Sequence, residues 1–380
     1  MNANPKAAVD KAPVEKAPAE IAAEVLCEVR GGVGFITLNR PKALNALSLS
    51  MIRALTQCLL AWRDDAQVQA VAIRGTSKSG PFGAFCAGGD IRFFHQAVLG
   101  GDAALEDFFT EEYTLNHLIH RYPKPTLAFM DGIVMGGGMG ISQGTRWRIV
   151  TERSKMAMPE TGIGLFPDVG GGYFLSRCPG RVGEYLALTG EVIGADAALQ
   201  FGLADVCVES MHLDALWHEL GAQDFVDAQA VQRWLGAHLT PAPAGEKQAT
   251  DQIDEIFALP DVQTMVQALQ VRAGDAWAQA TLGILRQRSP LMLHVTLEQL
   301  RRARHMSLAD DLRMERDMMR HCFEERAQSE TFEGIRARVV DKDNAPSWNP
   351  PRIEEVTPQR VQEFFVSPWP AHAHPLRYLD

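Results

Sequence analysis

The chain runs to 380 residues, room for about two domains at roughly 150 residues each. Apolar residues make up 46% and charged residues 22%, an ordinary balance for a globular protein with a sizeable core, and no run reaches the roughly 18 apolar residues of a membrane-spanning helix. A net charge of −10 argues against nucleic acid as a general partner, because phosphate backbones are held by a basic face; a small anionic ligand would need cations placed locally.

Residues 1–23, rich in Ala, Pro, Lys and Glu and without aromatics, are expected to form a disordered tail. They show no apolar signal core, and the lack of Arg together with Asp10, Glu15 and Glu20 speaks against a transit peptide, so a cytoplasmic protein is expected. The six cysteines (Cys27, Cys58, Cys86, Cys178, Cys207, Cys322) show neither C-x-x-C nor close pairing and read as reduced, mostly buried thiols rather than zinc ligands. "VGFITLNR" (33–40) predicts a strand, "LSLSMIRALTQCLLAWRDD" (47–65) a helix capped by Ser48 or Ser50, and "VQAVAIRGT" (68–76) another strand. A glycine-broken loop over 80–94 runs into a helix, 102–122 is an amphipathic helix stopped by Pro123, and "PTLAFMDG" (125–132) is a buried strand. A glycine run, a short helix and the strand "WRIVTE" (147–152) follow, and 155–178 is mostly loop before another helix. This alternation makes 24–215 an α/β core. Residues 216–251 read as a connecting segment, with "TPAPAGEKQATDQ" (240–252) an exposed loop, and 252–380 as mostly helical.

Three motifs bear on chemistry. Gly140-Ile141-Ser142-Gln143-Gly144 matches the G-x-S-x-G elbow of serine hydrolases, but that elbow needs a core strand running straight into the serine. Here glycines precede Ser142, which reads as a small residue on a closely packed helix. The glycines themselves offer more. Ala87-Gly88-Gly89-Asp90 and Gly136-Gly137-Gly138 each precede a helix and expose backbone N–H groups with no Cβ in the way; two such donors from separate turns make an oxyanion hole. "MPETGIGLFPDVGGG" places Glu160 after Pro159 and Asp168 after Pro167. Burial among Met158, Leu165 and Phe166 would raise a carboxylate's pKa and suit acid/base or nucleophilic work, while on composition alone a pair of surface acids is equally open. His117-x-x-His120 lacks the glutamate of a zincin helix, and His372 and His374 fall in what reads as a loose tail, so no metal site is expected.

Taken in order, "LNRPKALNAL" (38–47), "AFCAGGDIR" (84–92), "DGIVMGGGMGIS" (131–142) and "AMPETGIGLFPDVGGGYFLSR" (157–177) resemble the crotonase (enoyl-CoA hydratase/isomerase) superfamily. "FEGIRARVVDKDNAPSWNP" (332–350) is similar to its 3-hydroxyisobutyryl-CoA hydrolase branch. The resemblance implies an α/β fold, a crotonase-like ββα spiral core with a helical C-terminal region. It implies an acyl-CoA substrate and no cofactor beyond the CoA that the substrate carries. Relatives often form trimers, so it extends to a homo-oligomer, unless the helical C-terminal region covers that surface. Matched residue by residue, it makes Gly89 and Gly137 the two oxyanion amides and Glu160 the main catalytic carboxylate, with Asp168 and Glu112 the additional acids of the hydrolase branch. It makes Lys42, Ala43 and Leu44, with Ala87, Asp90, Ile91 and Arg92, parts of the CoA-binding segments, Lys42 and Arg92 being cations for the phosphates.

One departure decides between activities. Hydratases of the superfamily carry a second glutamate three residues after the oxyanion glycine, and here that position is Gly140. Thioester hydrolysis by Glu160 and Asp168, giving 3-hydroxyisobutyrate and CoA in valine breakdown, is therefore favoured over hydration. An isomerase, which needs one acid, and a non-catalytic acyl-CoA-binding protein are the alternatives.

Overall fold

The computed structural model describes residues 23–239, 250–324 and 329–380; nearly all of the expected tail and most of the 240–252 loop lie outside the described residues. In chain order the first part comprises β1 (Val25–Arg30), β2 (Val33–Leu38), α1 (Leu49–Arg63), β3 (Ala70–Ser77), β4 (Gly80–Pro81), α2 (Ile91–Gly100), α3 (Ala104–His120), β5 (Thr126–Met130), β6 (Ile133–Met135) and α4 (Gly137–Gln143). It continues through β7 (Trp147–Val150), β8 (Lys155–Ala157), α5 (Gly171–Leu175), α6 (Val182–Thr189), α7 (Ala195–Gln200), β9 (Val206–Cys207), α8 (Leu213–Gly221) and α9 (Ala228–His238). Among the described residues seven α-helices follow: α10 (Asp251–Phe257), α11 (Val262–Gln270), α12 (Ala276–Leu285), α13 (Pro290–Ala303), α14 (Leu308–Glu324), α15 (Glu330–Ile335) and α16 (Pro358–Glu363).

The main sheet has the order β1-β2-β3-β5-β7-β9, parallel along this path except at β1–β2, with β4 beside β3 in a further antiparallel pair; β6 and β8 form a second, two-stranded parallel sheet. Its central strands are buried on both faces. Ile36, Leu38, Val71, Ile73, Ala128 and Met130 face one core, and Val33, Phe35, Ala70, Ala72, Leu127 and Phe129 the other. That double burial is why these strands read as apolar runs in the sequence. The second core is closed by α8 and α9 around Trp217, against which Phe35, Phe82 and Phe129 pack edge-on. The described part of 216–251 thus holds helices that cover the sheet. Side chains of α10–α14 and α16 join the first core alongside those of α1–α3, so one apolar interior runs through both parts of the chain.

α1 starts where expected, with Ser48 accepting from Met51 N at 3.3 Å. Two expectations need correction. Cys27 and Cys58 are joined in a disulfide: they lie 31 residues apart with no motif, but β1 packs on α1 and brings them together. Cys86, Cys178, Cys207 and Cys322 are free. The final stretch is not loose around His374, which is buried with Nε2 3.2 Å from the Asp317 carboxylate. Arg313 donates to the Leu376 and Leu379 carbonyls, and His117 Nε2 pairs with the Asp380 carbonyl at 2.9 Å, so long-range partners pin a segment whose composition suggested a tail.

Candidate active site

The site is built where two glycine turns meet. The 86–90 turn is stitched on one side to the segment before α1: Ala87 N donates to Leu44 O at 3.0 Å, Leu47 N to Gly88 O at 2.7 Å, and Asp90 N to Leu47 O at 2.9 Å. On the other side Met135 N at the end of β6 donates to Cys86 O at 3.0 Å. Gly88 (φ 108°) and Gly136 (φ 49°) hold left-handed backbone that other residues resist. A Cβ on Gly138 would stand 2.3 Å from Cys86 O, so the second turn closes on the first only because that atom is missing. Buried Asn45 ties the neighbourhood together, its amide donating to the carbonyls of Thr76, Ala84 and Phe85.

Between the turns and the 159–169 loop lies a cavity of about 330 Å³. Gly89 and Gly137 line it, and among the described residues neither N–H has a protein acceptor. Glu160, which opens a 3-10 turn after Pro159, lines it too, with Oε2 buried and unpartnered; Oε1 lies 3.0 Å from where a Cβ of Gly136 would be. Asp168 and Glu112 complete the acids. Asp168 accepts from the Tyr113 hydroxyl at 2.8 Å, and Glu112 Oε1 is buried without a partner. Burial, and next the Asp168 charge, hold Glu160 and Glu112 well above the usual carboxylate range. Burial pushes Asp168 up to about 6, against the Tyr113 hydrogen bond that favours its charged form. Amide donors of this kind can polarise a carbonyl while an acid poised near neutrality attacks or moves a proton.

Position 140 is closed. A Cβ there would stand 2.6 Å from Val169 Cβ and 3.1 Å from the Asn116 amide nitrogen. Val169 fills the slot with a left-handed backbone (φ 56°), unusual for a β-branched residue.

A family model described as enoyl-CoA hydratase/isomerase matches residues 33–365. The chain belongs to the enoyl-CoA hydratase/isomerase family. It has that family's crotonase-type α/β fold. Among its relatives, "3-hydroxyisobutyryl-CoA hydrolase, mitochondrial" of Gallus gallus is 40% identical over 90% of this chain and 89% of its own. A solved carnitinyl-CoA dehydratase from Mycobacterium thermoresistibile is 38% identical, with a TM-score of 0.83 over 94% of this chain and 99% of its own. An enoyl-CoA hydratase from Rhodobacter sphaeroides is 35% identical, with a TM-score of 0.81 over 91% and 98%.

Of the residues that the sequence singled out for the site, the structure brings Ala87, Gly89, Ile91, Glu112, Gly137, Glu160 and Asp168 to one cavity. It does not bring Lys42, Ala43, Leu44, Asp90 or Arg92 to its wall. Lys42, Leu44 and Arg92 are exposed; Ala43 sits in a 3-10 turn beside the 87–90 segment. Asp90 instead caps α2, accepting from Phe93 N at 3.3 Å, and pairs with Arg40 at 2.8 Å. Ser142 lies outside the cavity, fully buried in α4, its hydroxyl donating to Gly138 O at 2.8 Å. The sequence reading missed Tyr113, Asn45, Arg288 and Arg338. Tyr113 carried a signal in its place next to Glu112 on α3, and Asn45 and Arg338 lie in the quoted stretches 38–47 and 332–350, while nothing local marks Arg288.

Proposed function

We propose that the chain hydrolyses a short-chain 3-hydroxyacyl-CoA, 3-hydroxyisobutyryl-CoA in valine breakdown, to 3-hydroxyisobutyrate and CoA. The observation that carries this is the filled slot at Gly140. Glu160 and its neighbour Asp168 are left facing two unpaired amides, with no room for the hydratase's other acid. The name of the Gallus gallus relative supports the same substrate. In this reading the N–H groups of Gly89 and Gly137 form the oxyanion hole for the thioester oxygen. Glu160 either attacks the carbonyl, giving an acyl anhydride that water opens, or deprotonates the attacking water; in both routes the C–S bond breaks and the thiolate leaves with a proton. Asp168 handles that proton or the substrate hydroxyl, and Glu112 orients the 3-hydroxyl. Coenzyme A enters as part of the substrate, and no other group takes part. One cysteine pair is joined and four thiols are free, which favours no compartment; the cytoplasm is the setting in this reading, the Gallus gallus relative is named mitochondrial, and fractionation of cells making the full chain decides between them.

A second reading, hydration or isomerisation of an enoyl-CoA, is favoured by the names of the two solved neighbours. A thiol-release assay across hydroxyacyl-CoA and enoyl-CoA panels separates the two. Hydrolysis predicts free CoA from the hydroxyacyl thioesters, with Glu160→Gln and Asp168→Asn each losing about 10²–10⁴-fold while CoA still binds. Water uptake by crotonyl-CoA without thiol release would overturn it.

A further inference from the structure

We propose that Arg288 and Arg338 form an anion subsite of the cavity, one that takes a phosphate or carboxylate group of the bound thioester. The inference rests on the acyl-CoA reading above and extends it to residues outside the glycine turns. Both side chains line the cavity, and both are half-buried. Arg288, just before α13, donates Nε (2.9 Å) and Nη2 to Thr189 O; Arg338, on the π-turn Arg336–Val340, donates Nη1 to Asn344 Oδ1 at 3.1 Å. Among the described residues neither has an ion-pair partner, which leaves Arg288 Nη1 and Arg338 Nε and Nη2 unused. The contrast with Arg336 is sharp: two positions away, it is held by Glu333, Asp341 and Asp343.

Two guanidinium groups with no ion-pair partner among the described residues, the Glu191 charge acting on Arg288 only from beyond ion-pair distance, are costly to hold together. Burial, then the charge of Arg338, holds Arg288 below the usual guanidinium range. The site is also shaped for the arginine. A Cβ on Gly162 would stand 2.7 Å from Arg288 Nη1, and Ser289 N donates to Thr161 O at 3.0 Å, fixing the arginine beside the turn that starts at Glu160. A planar fork with free donors matches phosphate and carboxylate oxygens. Lys42 and Arg92, exposed and off the cavity wall, are less suited to that task.

Two parts of the ligand carry that chemistry: the phosphates of CoA, or a carboxylate on the acyl chain. Titration calorimetry at low salt with free CoA, butyryl-CoA and succinyl-CoA, on the full chain and on Arg288→Gln, Arg338→Gln and the double variant, reads it. Loss of charge-assisted hydrogen bonds predicts that the double variant weakens the anion-bearing ligand about tenfold or more, and less so in high salt. A threefold or greater loss for free CoA assigns the subsite to the CoA phosphates. A threefold or greater loss confined to succinyl-CoA assigns it to an acyl carboxylate. Losses below threefold on all three ligands overturn the subsite. Gly162→Ala, which pushes the Arg288 guanidinium away without removing it, gives the same readout should the double variant not fold. Binding is measured without turnover, so a wild-type chain that releases no thiol sinks the hydrolase reading and leaves this test standing.

Discussion

Tyr113 is the residue through which the acid pair is tuned. Its hydroxyl donates to Asp168 and favours the charged carboxylate, which sits at about 6. Tyr113→Phe removes that bond, so the Asp168 pKa rises and the acid limb of kcat/KM moves to higher pH. The loss should be several-fold at pH 6 and smaller at pH 8, read from a pH–rate profile. At Gly140 the issue is space. Gly140→Glu drives new atoms into Val169, and overpacking of this kind costs roughly 1–3 kcal/mol, measurable by urea unfolding. The variant should show no hydration of crotonyl-CoA, and Val169→Gly in the same chain should recover part of the stability by clearing the slot and relaxing a positive φ.

Among the elements, α14 supports the site from behind its wall. Glu315 accepts from Gly170 N at 2.8 Å and Gly172 N at 2.9 Å, Asp311 accepts from Tyr173 N at 2.8 Å, and Gln299 of α13 donates to Pro167 O at 2.7 Å. A helix from the last third of the chain thus holds the loop that carries Asp168 and Val169. Glu315→Gln can accept with only one oxygen, so kcat should fall by about tenfold with a smaller change in KM, a loss comparable to one buried hydrogen bond left unmade. This is also where sequence reading ran out. That Gly89, Gly137, Glu160 and Asp168 share one cavity was legible because they sit in short stretches whose glycines and prolines restrict the backbone within a few residues. Glu315 lies 145 positions from Gly170, and nothing local marks it. Strands β6 and β8, three residues each, fall below what periodicity resolves: β8 lies in the stretch 155–178 expected to be mostly loop, and β6 between the 125–132 strand and the glycine run, where no strand is expected.

For the molecule as a whole, the consequence is a buried acidic interior assembled from α3, the 160–168 loop and α14. Glu112, Glu160, Asp168, Asp311 and Glu315 are all held above the ordinary carboxylate range, first by burial, Asp311 up to about 7. Each keeps its proton in the folded chain at a pH where the unfolded chain has released it. The unfolded state then binds fewer protons, so these groups subtract stability progressively as pH climbs above about 4, Asp168 up to about 6 and Asp311 up to about 7. Glu112→Gln removes one such group that has an unpartnered oxygen, and its melting temperature should exceed that of the wild type by a few degrees at pH 8, with the gap shrinking towards pH 5 in calorimetry.

Val169 also bears on how such a chain can diverge. Its side chain occupies the ground a second acid would need, and its backbone is pinned by Asp168 on one side and by Gly170, tethered to Glu315, on the other. A lineage moving from this chemistry to water addition would therefore meet an obstacle at its first step. An acid gained before the valine is lost has nowhere to go, and a valine lost first leaves a hole that serves no reaction. Swapping one activity for the other calls for paired changes, which natural drift reaches less readily than a designer does.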